Sequence, residues 1–127
     1  MKVNYEAGTR FTAGTRGHKV TVDLPRERGG TDQGMTPPEL LAAAFGACIG
    51  VYVTRYCKQV GVNPDDTTVD VRWETVEEPM RISRLHATVT VPAGIPEGRR
   101  AAVKKVAEHC LIHRTLCAQP EMMIELA

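Results

Sequence analysis

The sequence predicts an α+β fold with a mostly antiparallel sheet, and three observations carry that expectation. Two pairs of segments alternate apolar and polar residues with period 2, two longer segments carry helical signals, and strands do not alternate with crossover helices as a parallel sheet requires. The expected order is β-β-α-β-β-α-β, without internal repeats. At 127 residues, a single domain spanning 1–127 is expected, a size that buries roughly two-thirds of its unfolded surface.

Residues 2–11 and 18–24 carry alternating β-branched residues on either side of Ala13-Gly14-Thr15-Arg16-Gly17, which predicts a hairpin. Residues 25–35 hold Gly29, Gly30 and Gly34 among several charges. That stretch reads as a loop long enough to suggest a functional role. At Thr36-Pro37-Pro38-Glu39 a helix begins: Thr36 can cap it, Pro37 suits its first position and Glu39 completes a capping box. It should run to about Val60, where Gly61 offers a left-handed stop and Pro64 forbids continuation. Its middle is apolar around the whole circumference, which predicts burial on all sides at the centre of the core. Ala42, Gly46 and Gly50 form a smooth ridge against which a second helix can pack, giving two packed central helices.

Residues 67–76 and 81–91 form a second expected hairpin around Glu77-Glu78-Pro79-Met80. Pro96-Glu97 opens another helix, with Ala102, Val103, Val106 and Cys110 on its apolar face. A short turn of helix over 113–118 and a final strand over 122–126 complete the prediction.

A composition of 43% hydrophobic and 24% charged residues places the chain among globular proteins. Sixteen basic against 15 acidic side chains give a net charge of +1, which supplies no broad attraction to nucleic acid or to anionic membranes. Neither is expected as a partner. The opening ten residues lack the apolar core of a secretory signal, so the cytoplasm is the expected compartment. The charge-free stretch 40–53 is shorter than the ~20 residues that span a bilayer and reads as a buried helix.

Four cysteines without an export signal point to reduced thiols, metal ligands or catalytic groups before a disulfide framework. Cys48 lies mid-helix between Ala47 and Ile49, where a thiol is often an inert small hydrophobe. Cys57 follows nine positions later, half a turn around and roughly 13 Å along the axis, so the two cannot bond within that helix. No role is assigned to Cys57. Cys110 closes the second helix in a segment that also holds His109, His113 and Cys117. On a continuous helix these could offer three zinc ligands, but paired CxxC knuckles are missing and nothing supplies a fourth ligand. The alternative is a core cysteine beside two capping or solvated histidines.

Taken together, GGTDQGMTPPELLAAAFGACIG (29–50) and HCLIHRTL (109–116) resemble the OsmC/Ohr superfamily, which includes peroxidases acting on organic hydroperoxides. The shared pattern runs from a Gly-rich loop through a Pro-Glu-Leu helix start and a small-residue helix holding a cysteine. Two strands follow, then a second helix ending in a cysteine with a Thr-Leu pair after it.

The resemblance implies an OsmC-like fold assembled as an intertwined homodimer. It implies that Cys48 is the peroxidatic cysteine, Cys110 the resolving cysteine, and Glu39 the glutamate that holds an activating arginine. Arg16, in the first hairpin turn, is the first choice for that arginine and Arg28 the second. A thiol at an apolar site ionises reluctantly, so such a cation is needed. On this reading a Cys48 thiolate attacks the hydroperoxide, and the resulting sulfenic acid condenses with Cys110 to a disulfide that a dithiol reductant reopens. An apolar pocket near Phe45, Ile49 and Tyr52, with Met35 as a further wall, would favour organic hydroperoxides. No cofactor and no metal are implied. Glu39 and Cys48 point to opposite sides of one helix, about 13 Å apart along its axis, so a long arginine or a second chain must bridge them. The competing reading is a non-catalytic dimer that binds a small apolar or thiol-reactive ligand.

Overall fold

A computed structural model describes residues 1–127. The chain forms two compact units, Met1–Leu41 and Ala42–Ala127.

The first unit is a three-stranded antiparallel meander of β1 (Lys2–Ala7), β2 (Arg10–Thr15) and β3 (His18–Val22), in that order. The expected hairpin is therefore one strand short. Gly8, at φ +57°, turns the chain inside 2–11, and Ala13-Gly14-Thr15 belongs to β2 rather than to a turn. The β2–β3 turn is reduced to Arg16 and Gly17 between the paired Thr15 and His18. Both have positive φ, +51° and +83°, as the tight hairpin turn that matches strand twist requires.

After β3 the chain folds back over Asp23, a carboxylate that is almost wholly buried. The hydroxyls of Thr9 and Thr31 donate to it, each at 2.6 Å, joined by the amides of Leu24, Thr31 and Gln33. Five donors satisfy the charge, as burial demands. Thr31 and then Thr9 hold the Asp23 carboxyl well below the usual carboxylate range, against the opposing effect of burial. The loop closes so tightly that a Cβ at Gly30 would overlap the Leu24 carbonyl and one at Gly34 the Thr21 carbonyl.

Helix α1 (Pro37–Gln59) starts and stops where the local signals place it. Glu39 Oε2 accepts from the Thr36 amide at 2.7 Å and the Thr36 hydroxyl at 2.9 Å, while the Glu39 amide donates to Thr36 Oγ1 at 3.4 Å. That is a complete capping box. At the other end the Val62 amide donates to the Cys57 carbonyl and that of Gly61 to the Lys58 carbonyl, with Gly61 at φ +75°. This is a Schellman stop.

In the second unit, α1 lies against the hairpin of β4 (Thr68–Glu77) and β5 (Met80–Thr90), paired as Val69↔Val89, Val71↔Ala87 and Trp73↔Leu85. The helix is not buried on all sides. Ala42, Phe45, Gly46, Ile49, Val53 and Cys57 form one buried stripe, while Ala43, Ala44, Ala47 and Val51 are exposed. Nor does Gly46 serve a helix–helix ridge: a Cβ there would come within 3.0 Å of Val71 Cγ2, so the glycine lets α1 approach β4. By length and composition α1 could cross a membrane; its apolar stripe is the spine of the core.

A 3₁₀ turn over Glu97–Arg99 leads into α2 (Arg100–Glu108), which stops before Cys110. A separate helix, α3 (Leu111–Cys117), follows. The expected strand over 122–126 is not formed; 118–127 has no regular structure and leaves Met122, Met123, Ile124 and Leu126 exposed. No strand pairs with this segment.

Candidate functional site

Two residues far apart in sequence meet in the second unit. Cys48 projects from α1 beside the buried stripe and is half-buried, and Cys110 is fully buried in the break between α2 and α3. The two are neighbours in the core: Cys48 packs against the buried cluster that contains Cys110, and no disulfide joins them.

The break is what places Cys110 there. Once α2 ends, Cys110 adopts extended backbone (φ −62°, ψ 145°) and caps α3, its Sγ accepting from the His113 amide at 3.3 Å. Burial pushes the Cys110 thiol up from its ordinary range; the His113 amide opposes that shift, while the adjoining Cys48 thiol adds to it. Cys57 lies fully buried further along the α1 stripe, where burial likewise raises its thiol. Cys117 is exposed at the end of α3.

His113 connects several parts of the site. Its ring stacks on Phe45 with centroids 6.2 Å apart and 20° between planes. It also lines a cavity of about 420 Å³ with Phe45 and Ile49 of α1, Leu85 and Val89 of β5 and Val103 of α2. Arg100, Lys104, Glu108 and His86 supply polar groups at its wall. Phe45 and Ile49 thus occupy the pocket-lining places expected of them. Tyr52 packs against the core outside that lining, and Met35 belongs to the first unit, where its carbonyl accepts from the Asp23 amide.

The remaining candidates lie in the first unit. Arg16 is exposed at the β2–β3 turn, and Arg28 is exposed in the 3₁₀ turn Arg26–Arg28. Glu39 is engaged by Thr36, which holds its carboxyl below the usual range, and it forms no ion pair with either arginine.

The histidines do not assemble a metal cage. His109 Nδ1 turns to the Lys105 carbonyl at 2.6 Å and His113 Nδ1 to the Glu108 carbonyl at 2.7 Å. No three His, Cys, Asp or Glu side chains converge. His113 is the residue that sequence reasoning undervalued. The available signal was its place three residues after Cys110, the spacing of an N-cap and the amide it receives.

The family model described as OsmC-like protein matches residues 30–125. No curated protein matches the chain. Among solved structures, an osmotic stress induced and detoxification response protein of Psychrobacter arcticus is similar with a TM-score of 0.82 at 20% identity, over 90% of this chain and 85% of that one. An organic hydroperoxide resistance protein OsmC of Legionella pneumophila gives 0.63 at 22% identity, over 92% and 87%. The organic hydroperoxide resistance protein OhrB of Bacillus subtilis gives 0.61 at 19% identity, over 93% and 90%. At these identities the likeness is one of fold.

Proposed function

Because the chain belongs to the OsmC-like protein family, we propose that it is a cytoplasmic thiol-dependent peroxidase that reduces organic hydroperoxides to alcohols in oxidative-stress defence. The observation that carries this reading is that Cys48 packs against the core cluster holding Cys110, which makes the two thiols neighbours.

In the proposed reaction the Cys48 thiolate attacks the terminal oxygen of ROOH. The O–O bond breaks, and the departing alkoxide takes a proton to leave as the alcohol. Cys48 becomes a sulfenic acid, and Cys110 attacks its sulfur, expelling water and forming the Cys48–Cys110 disulfide. A dithiol then reduces that disulfide by exchange. A second thiol nearby protects Cys48 by capturing its sulfenic acid before further oxidation. The R group of the substrate is assigned to the apolar cavity, since Phe45 and Ile49 flank Cys48 on α1 and line it. Its apolar walls favour an organic hydroperoxide over hydrogen peroxide.

Activation of Cys48 is assigned to Arg16, with Glu39 as the group that orients it. A homodimer completes this proposal. Two apolar faces lack a cover within their own units. One is the face of the meander carrying Val3, Tyr5, Phe11 and Val20, which the register Val3↔Ala13↔Val20 and Tyr5↔Phe11 puts on one side. The other is the α1 line Ala43, Ala47 and Val51. A second copy of the chain offers the matching surface for both.

The cavity by itself favours a second reading, a non-catalytic dimer that holds a small apolar or thiol-reactive ligand. Consumption of cumene hydroperoxide with dithiothreitol as reductant separates the two. Turnover by the parent protein that is lost in Cys48→Ser, with overoxidation of Cys48 in Cys110→Ser, is the peroxidase result. A parent protein without turnover that still binds the alcohol product would overturn it in favour of the binding module.

A further inference from the structure

Apart from the Cys48–Cys110 pair, α3 carries a second arrangement of nucleophile, base and orienting group. Cys117 Sγ lies 3.6 Å from His113 Nε2, one helical turn away, and the thiol is exposed. His113 Nδ1 lies 2.7 Å from the Glu108 carbonyl oxygen. A carbonyl only accepts, so Nδ1 carries a proton, and in the uncharged ring Nε2 is the acceptor that faces Cys117. The stack on Phe45 holds the ring in that orientation. The division of labour within one residue is clear: the backbone amide of His113 serves Cys110, and its ring serves Cys117.

A thiol beside an imidazole held in a fixed orientation is the geometry by which a base activates a cysteine. From this we infer that Cys117 and His113 form a second thiol centre, which exchanges with low-molecular-weight disulfides and is a site of reversible S-thiolation. Cys117 passes its proton to His113 Nε2, and the sulfur attacks one sulfur of R–S–S–R. A new S–S bond forms between Cys117 and that sulfur as the S–S bond of R–S–S–R breaks, and the leaving thiolate R–S⁻ recovers the proton as R–SH. Cys117 is oxidised and one R–S group is reduced. His113 also lines the cavity, so the second thiol centre shares that residue with its wall. The inference does not depend on peroxidase activity.

The test uses the Cys48→Ser/Cys110→Ser protein, which keeps only Cys57 and Cys117, mixed at pH 7 with a chromogenic aromatic disulfide. One thiol per chain should react, mapped to Cys117, while buried Cys57 stays free. Adding His113→Gln, which can meet the Glu108 carbonyl but cannot take a proton, should slow the reaction about tenfold or more. That gap should close toward pH 10, where free thiols ionise unaided. In case loss of both serine-replaced thiols perturbs folding, the otherwise unaltered protein and its His113→Gln variant are alkylated with iodoacetamide and mapped, with the same dependence expected at Cys117. No reaction at Cys117, or equal rates with and without His113 across the pH range, overturns the inference.

Discussion

The amide of His113 donates to the Sγ of Cys110 at 3.3 Å, which makes a buried cysteine the N-cap of α3. Cysteine is not among the preferred caps, and here its sulfur takes the place of the usual oxygen acceptor. Cys110→Ser keeps an acceptor there, whereas Cys110→Ala leaves the α3 amide without one. Urea denaturation should find the alanine variant about 1 kcal/mol less stable than the serine variant. Equal stabilities would show that the sulfur contributes no cap.

Two glycines of α1 should respond in opposite directions to alanine. At Gly46 a Cβ would press on Val71 Cγ2 at 3.0 Å, and overpacking outweighs the gain in helix propensity, so Gly46→Ala should lose about 1–2 kcal/mol. At Gly50 the nearest atom is Val69 Cγ2 at 3.9 Å, an ordinary contact. Gly50→Ala should therefore gain up to about 1 kcal/mol. Thermal denaturation of the two variants reads both signs, and two stabilising substitutions would refute the close α1–β4 approach.

Asp23 sets a pH dependence. Its carboxyl is held well below the ordinary range in the folded chain, chiefly by Thr31 and then Thr9. A group of that kind contributes stability that is complete above its unfolded value, about 3.9, and is lost as pH falls toward the folded value. The melting temperature of the parent should drop as pH falls from 4 to 2. Asp23→Asn should melt lower at pH 7 and lose less over that acid range. A variant with the parent's acid slope would remove Asp23 as the cause.

The exposed apolar faces make the assembly testable. Light scattering after size exclusion should give the parent a mass of twice 13.9 kDa. Ala47→Asp should shift the population toward single chains, because it places a charge on the exposed α1 line. A parent that runs as a well-behaved monomer would sink the dimer and leave a long arginine as the only bridge between Glu39 and Cys48.

What was legible in the sequence follows the range of the interactions. The ends of α1 are encoded within four residues at Thr36–Glu39 and by one glycine at Gly61, and both are where local chemistry puts them. The meander was misread as a hairpin because a single left-handed Gly8, rather than a turn cluster, divides β1 from β2. The break at Cys110 was legible in outline, since the second helix was expected to close there with a short helical turn over 113–118, but the cap was not, because cysteine carries no usual N-cap signature. Asp23 was invisible as a loop clamp because Thr9 and Thr31, 14 and 8 residues away, give it its role. The pairing of Cys48 with Cys110 came from resemblance to a family; their spacing alone does not reveal it.

The proposed pairing of those two thiols is tested most directly by adding one equivalent of cumene hydroperoxide to the fully reduced protein, then quenching with an alkylating agent and mapping peptides without reductant. The expected product is a single disulfide joining Cys48 to Cys110, with Cys57 and Cys117 recovered alkylated. An oxidised Cys48 that never links to Cys110, or a disulfide that runs instead through Cys57 or Cys117, would contradict the proposed reaction.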